Sequence, residues 1–447
     1  MKPSDAMAAV LSRRAALFGG AAWPLLTGAD AFAQSSVVDI TRARTDPIPI
    51  AIPDFAGGPR GRDIAMVVVN NLRNSGLFRP VSNAAFIQSA ESAAAVPRFQ
   101  DWRVIGAQAL VTGRVEAGDR VRVEFRLWDV LPEQQIQGTA FTAPAANWRR
   151  IAHLISDVIY ERLLGEKGYF DTRVAYVAET GPRDRRVRRL AIMDQDGENN
   201  RYLTDGGAAV ATPRFHPNAQ QLAFMSYGQG EQPKVVLLNL DSGRTEPLGN
   251  FPGMTLSPRF SPDGRNVVLS ATRGNDANIY AVDLGSRRER QLTSGGGLDV
   301  SPCYSPDGAQ IVFNSDRGGD QQLYVMGADG GGARRISFGR GRYATPVWSP
   351  RGDLIAFTRM AGGQFAIGVM RPDGGGERIL SEGWGMEGPT FAPNGRVMMF
   401  FRETPARDSR GGGYSARISS IDVAGFNERQ IITPTDASDP AWSPLLS

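Results

Sequence analysis

Cysteine, histidine and lysine are nearly missing from this 447-residue chain, and each shortage excludes something. A lone cysteine, Cys303, rules out an intrachain disulfide. Two histidines, His153 and His216, leave almost no material for a histidine-built metal site or a histidine general base. The lysines are Lys2, Lys167 and Lys234 alone, so arginine carries nearly all of the positive charge. It is scattered along a chain of net charge +4, which gives no footing for nucleic acid. Beyond the first residues no apolar run is long enough to cross about 30 Å of hydrocarbon. Turn-makers, by contrast, are plentiful. Fifty-two glycines and 29 prolines favour many short strands over long helices, and the length predicts two or three folding units.

Residues 1–33 have the layout of an export signal. Arg13 and Arg14 precede a weakly apolar stretch, 15–26, and Ala31-Phe32-Ala33 forms a small-x-small cleavage site before Gln34. The pair reads equally as a twin-arginine signal or as the positive end of a general secretory one. Either reading places the mature chain outside the cytoplasm, cut after Ala33.

One phrase is written six times further on. Pro213-Arg-Phe-His-Pro217, Pro258-Arg-Phe-Ser-Pro262, Pro302-Cys-Tyr-Ser-Pro306, Pro346-Val-Trp-Ser-Pro350, Pro389-Thr-Phe-Ala-Pro393 and Pro440-Ala-Trp-Ser-Pro444 share P-x-aromatic-x-P, with closing prolines 45, 44, 44, 43 and 51 apart. Most are followed by a turn dipeptide such as Asp263-Gly264 or Asn394-Gly395 and then an apolar strand, at 222–227, 267–272, 311–316, 355–360 and 397–402. Third and fourth short strands complete each unit. Four strands per roughly 44 residues is the period of a propeller blade. The sixth phrase has no second strand after it, whereas the strand at 173–178 has no phrase before it. Joining the two predicts a closed six-bladed ring with no open sheet edge.

Residues 34–168 do not repeat. A strand at 48–52, a helix at 63–74 ending at Gly76, a hairpin of 109–115 and 120–127, and a helix at 147–164 ending at Gly165 predict a small α/β domain. The fold class is therefore two-domain: a small N-terminal α/β domain over 47–168, then an all-β six-bladed β-propeller over 169–447. Residues 34–46 read as a mobile arm.

Asn70-Asn-Leu-Arg-Asn-Ser-Gly-Leu-Phe78, Leu164-Gly-Glu-Lys-Gly168, Thr172-Arg-Val-Ala-Tyr176, the repeats and the closing Pro440–Pro444 phrase occur in this order across the whole mature chain, which resembles the TolB family of the Tol-Pal system. The resemblance implies a periplasmic, monomeric, non-enzymatic adaptor without cofactor or metal. Such an adaptor binds the outer-membrane lipoprotein Pal through one propeller face and TolA through the arm, in outer-membrane integrity and cell division. By position the TolA arm would include Val37, Val38, Asp39, Ile40 and Thr41. Arg42 and Arg44 depart from the small or acidic residues usual there.

The loops leading into each innermost strand, at 206–212, 253–257, 296–301, 342–345, 384–388 and 436–439, should gather at one mouth of the channel. They are richer in apolar residues than solvated loops need be, which marks a partner surface. The expected Pal-face residues are Val210, Thr212, Met254, Thr255, Leu256, Leu298, Asp299, Val300, Ser301, Arg342, Tyr343, Trp384, Met386, Glu387 and Asp439. Packing between blades is the competing reading.

The Asp194–Asn199 segment resembles half a calcium loop but lacks its twelfth-position glutamate, so a β-turn is favoured. The arginines at 183, 185, 186, 188 and 189 read as a solvated edge. His153 is expected on the polar side of its helix, and His216 in a structural role. The rival function is a propeller-bearing hydrolase of the prolyl-peptidase or lactonase type. No G-x-S-x-G elbow and no following catalytic domain support the first. The inner strands supply few carboxylates for the second.

Overall fold

The computed structural model describes residues 46–446 apart from 183–184, 229, 296 and 406–413. Among them, six four-stranded antiparallel sheets surround one axis. Their innermost strands are Ala209–Phe215, Thr255–Phe260, Asp299–Tyr304, Arg342–Trp348, Gly385–Phe391 and Asp436–Trp442. Each touches the next around the ring, and the last touches the first. The closure takes the expected form: Ala437 lies opposite Ala178, and Trp442 opposite Val174. Trp442 Nε1 donates to Thr172 Oγ1 at 2.8 Å, and Arg173 N to Ser443 Oγ at 2.9 Å, so the ends of the ring are stitched by side chains as well as by backbone. This pairing removes the two free strand edges of an open fan.

The S-P-D-G turns have a local cause. Asp263 Oδ1 accepts from Arg265 N at 3.0 Å while Ser261 Oγ accepts from Asn266 N at 2.9 Å, and Asp307 and Ser305 repeat the pattern. The serine and aspartate thus replace backbone partners through a tight reversal.

The non-repeating region is a five-stranded mixed sheet with helices α1 (Pro59–Asn74), α2 (Ala90–Ala95), α3 (Phe99–Val104) and α4 (Trp148–Leu164). Its sequence-expected strands and two long helices are present. A strand at Gln134–Pro144 was not foreseen, because its alternation is spread over mostly exposed residues. Gly165 ends α4 with φ 72°, a left-handed turn that costs glycine little. The two regions share one apolar core: Ile155, Ile159 and Tyr160 of α4 cluster with Tyr169, Phe170 and propeller residues Met399, Ile418 and Trp442. Asp157 secures the linker, its carboxylate accepting from Phe170 N at 2.7 Å and Asp171 N at 2.9 Å. Helix α4 is therefore fixed to the ring, near the end of the channel formed by the P-x-aromatic phrases.

One helix reading is corrected. His153 is 3% exposed, not on a polar face; its Nδ1 lies 2.9 Å from Asn71 Nδ2, because that side of α4 is covered by α1 and by the Asp194 turn. Trp148, at the start of α4, packs partly buried against the shared core with Arg60 over its ring.

Candidate functional site at the channel mouth

The residue before each phrase-opening proline is left-handed in all six blades: Thr212 (φ 48°), Ser257 (51°), Ser301 (55°), Thr345 (45°), Gly388 (67°) and Asp439 (49°). At each of these points the innermost strand slips register against its neighbour. Proline supplies no N–H and disfavours a right-handed helical residue before it, so the chain bulges there. A ring of strained backbone results, the kind of strain that clusters at functional sites.

One residue earlier on each strand stands a second ring: Ala211, Leu256, Val300, Ala344, Glu387 and Ser438. It is lopsided. Leu256 and Val300 make an apolar arc, flanked outward by Met254 (36% exposed) and Leu298 (39%). Across from them lie carboxylates. Burial, and then the charges of Asp439 and Glu403, push Glu387 up to about 7. Asp439 is raised as well, chiefly by burial, although Thr212 N donates to its Oδ2 at 3.2 Å. Glu403 is raised by burial and by Glu179.

The fifteen expected mouth residues divide by burial. Met254, Leu298, Trp384 (53% exposed) and Arg342 are exposed, and Thr212, Leu256, Val300, Ser301, Glu387 and Asp439 border the channel half-buried. Val210, Thr255, Asp299, Tyr343 and Met386 are buried, which corrects the expectation that they face a partner. Their side chains serve the blades instead. Thr255 Oγ1 accepts from Val235 N at 2.7 Å, Asp299 accepts from Arg317 at 2.8 Å, and the Tyr343 hydroxyl donates to Glu377 at 2.9 Å. Strand alternation inside the mouth loops gave no hint of this, because these loops join the sheet early. The arm residues Val37 to Thr41 lie outside the described residues.

Phe338, 73% exposed in the loop entering the fourth blade, was missed. Arg335 lies over its ring at 5.2 Å. A loop traced back to the end of the preceding short strand would have included it. Within the arginine cluster Arg185 is exposed, as expected of a solvated edge, but Arg186 and Arg188 are not. Arg186 is largely buried, donating to Glu179 at 2.7 Å and Asp436 at 2.5 Å beneath the Tyr414 ring, and Arg188 lies 3.5 Å from Glu179. These ion pairs tie the hairpin of the closing blade to the mouth. Arg183 lies outside the described residues.

No histidine chemistry is assembled. His216 Nε2 lies 3.0 Å from Gly264 O and its Nδ1 accepts from Asn218 N, a structural role as expected. His153, Asp194 and Asp196 are close enough together to hold a metal ion. Arg149 already donates to both carboxylates there, at 3.4 and 2.6 Å, and occupies the cation's place. Gly197, at φ 95°, makes Asp194–Glu198 a turn.

Six sheets closed into a ring, preceded by a five-stranded sheet with four helices, define a six-bladed β-propeller joined to an α/β domain. Residues 160–446 match the TolB beta propeller domain and residues 36–136 the TolB amino-terminal domain. The chain is 62% identical to the Tol-Pal system protein TolB of Paramagnetospirillum magneticum, over 93% of this chain and 94% of that one. With the Tol-Pal system protein TolB of Gluconobacter oxydans identity is 53%, over 99% and 98%. The crystal structure of TolB from Acinetobacter baumannii superposes with a TM-score of 0.78 at 28% identity, over 90% of this chain and 97% of that one. The chain belongs to the TolB family of Tol-Pal system proteins, which are not enzymes.

Proposed function

We propose that this chain is a periplasmic adaptor whose channel mouth docks a Pal-like outer-membrane lipoprotein. The observation that carries the reading is the exposure of Met254, Leu298 and Trp384 around one lopsided rim, apolar on one side and carboxylate-bearing on the other. Exposed methionine and tryptophan beside polar groups suit a partner surface, and few residues of such a surface supply most of the affinity. Arg342, Phe338 and Glu387 extend the same rim. Residues 34–46 would form the arm for TolA, once 1–33 are removed as an export signal. The α/β domain then spans 47–168 and the propeller 169–447. Linking an outer-membrane partner to an inner-membrane one serves envelope integrity and division.

The test is affinity capture from envelope extracts with the mature chain. A Pal-like lipoprotein should be recovered, and Trp384→Ala should weaken its binding at least tenfold, a loss of about 1.4 kcal/mol or more. Recovery of no such lipoprotein, or labelling of the chain by a serine-hydrolase probe, overturns the adaptor reading. Deleting 34–46 should abolish TolA binding and spare the lipoprotein; loss of both would refute the arm assignment.

A further inference from the structure

At the far end of the inner strands, beyond the left-handed ring, lies a cavity of about 370 Å³. It holds two guanidinium groups, Arg214 and Arg259, each following a phrase-opening proline in neighbouring blades. The same position in the other four blades carries Cys303, Val347, Thr390 and Ala441, so the repeat does not demand charge there.

Neither arginine has a carboxylate within ion-pair distance among the described residues. Arg214 donates from Nη1 to Pro213 O at 2.6 Å, and its buried Nε has no partner. The nearest acid to act on it is Asp439, which is engaged with Thr212 N instead. Burial, and then repulsion from Arg259, push Arg214 down to about 9; burial moves Arg259 the same way. Arg214 therefore remains cationic at neutral pH. Two desolvated like charges side by side are costly unless a counter-charge joins them.

The walls are apolar. Phe260 and Tyr304, with the motif prolines Pro262 and Pro306, border the cavity, whose volume suits a small molecule rather than a folded partner. Guanidinium groups bind carboxylate and phosphate oxygens through paired N–H donors. From this geometry we propose that the cavity binds a small organic anion, a carboxylate or phosphate monoester carrying an aromatic or other apolar group, with Arg214 and Arg259 as its anion receptor. The cavity is lined by residues on the far side of the left-handed ring from the proposed docking rim, with Asp439 of the rim the acid that acts on Arg214.

Phenyl phosphate is the probe, titrated calorimetrically into the full mature chain, with phenyltrimethylammonium as the cation of similar shape. Saturable binding of phenyl phosphate to one site is expected, with a rise in melting temperature, weaker binding of inorganic phosphate and none of the cation. Arg214→Gln and Arg259→Gln should each weaken binding at least tenfold while melting no lower than the parent, since each removes a desolvated like charge. Absence of saturable binding by the unaltered chain overturns the proposal, as does equal binding by the cation. Unchanged affinity in the double variant overturns it too. A variant that melts lower yet binds phenyl phosphate as well as the parent would make the arginines structural and have the same result.

Discussion

At the mouth the six inner strands present Leu256 and Val300 on one side and Glu387 and Asp439 on the other; a few residues further along, the same strands present Arg214 and Arg259. The backbone between these two levels repeats from blade to blade, with one left-handed residue at the same position in all six. What differs is side-chain charge at single positions, inside a channel where low polarisability magnifies it. A repeat fold supplies equivalent positions, and departures from the repeat supply function. The aromatic residues teach the same lesson. Trp442 at the far end is buried and holds the ring closed, whereas Trp384 at the mouth is exposed and holds nothing.

The strongest way to break this contrast is Trp442→Ala. It removes a buried indole and its bond to Thr172, and should cost about 3–5 kcal/mol of stability, measured by urea unfolding. Trp384→Ala should stay within about 0.5 kcal/mol of the parent in the same assay. Two methionines of mouth loops sharpen the comparison. Met386→Ala should cost about 2–5 kcal/mol because its side chain is buried, while Met254→Ala, on the exposed rim, should cost less than about 1 kcal/mol.

Glu387 gives the third test, through pH. Its folded value of about 7 lies above the ordinary 4.5, so its protonated form is the one the fold favours. That contribution is complete below pH 4.5 and is lost as pH rises through 7. Glu387→Gln removes the loss, so its stability relative to the parent should rise between pH 5 and pH 8. The rise should be on the order of 1 kcal/mol, since Glu387 is only half-buried and solvent partly screens its carboxylate. An unchanged difference across that range would show that Glu387 is not desolvated. The smallest effect belongs to Arg342→Ala. Its 3.5 Å pair with Asp320 is exposed at both ends, and stability should shift by no more than about 0.5 kcal/mol.

Much of the fold was legible because its signals are local. The P-x-aromatic-x-P phrase, the Asp-Gly turns and the apolar runs after them gave six inner strands and their partners. The strand at 173–178, left without a phrase, gave the closure. The mouth was legible as a place but not residue by residue. Val210, Tyr343 and Met386 looked like loop residues beside Leu298 and Trp384, yet blade packing buries the first three and leaves the last two exposed. His153 was misread for a related reason. Helical periodicity gives the face a residue lies on, but not that α1 and the Asp194 turn cover that face from outside the helix.

The sequence by itself determined the number of blades, the order of strands within each, and the pairing of the chain's last strand with one some 270 residues earlier. Those follow from repeat period, turn chemistry and an unpaired strand, all written in contiguous residues. Only the tertiary structure decided which mouth side chains are free, that the charges of Glu387 and Asp439 act on each other from neighbouring blades, and that Arg214 and Arg259 share one cavity with no ion-paired carboxylate among the described residues. Burial and electrostatics depend on distances between residues far apart in the chain, and folding the ring is what sets those distances.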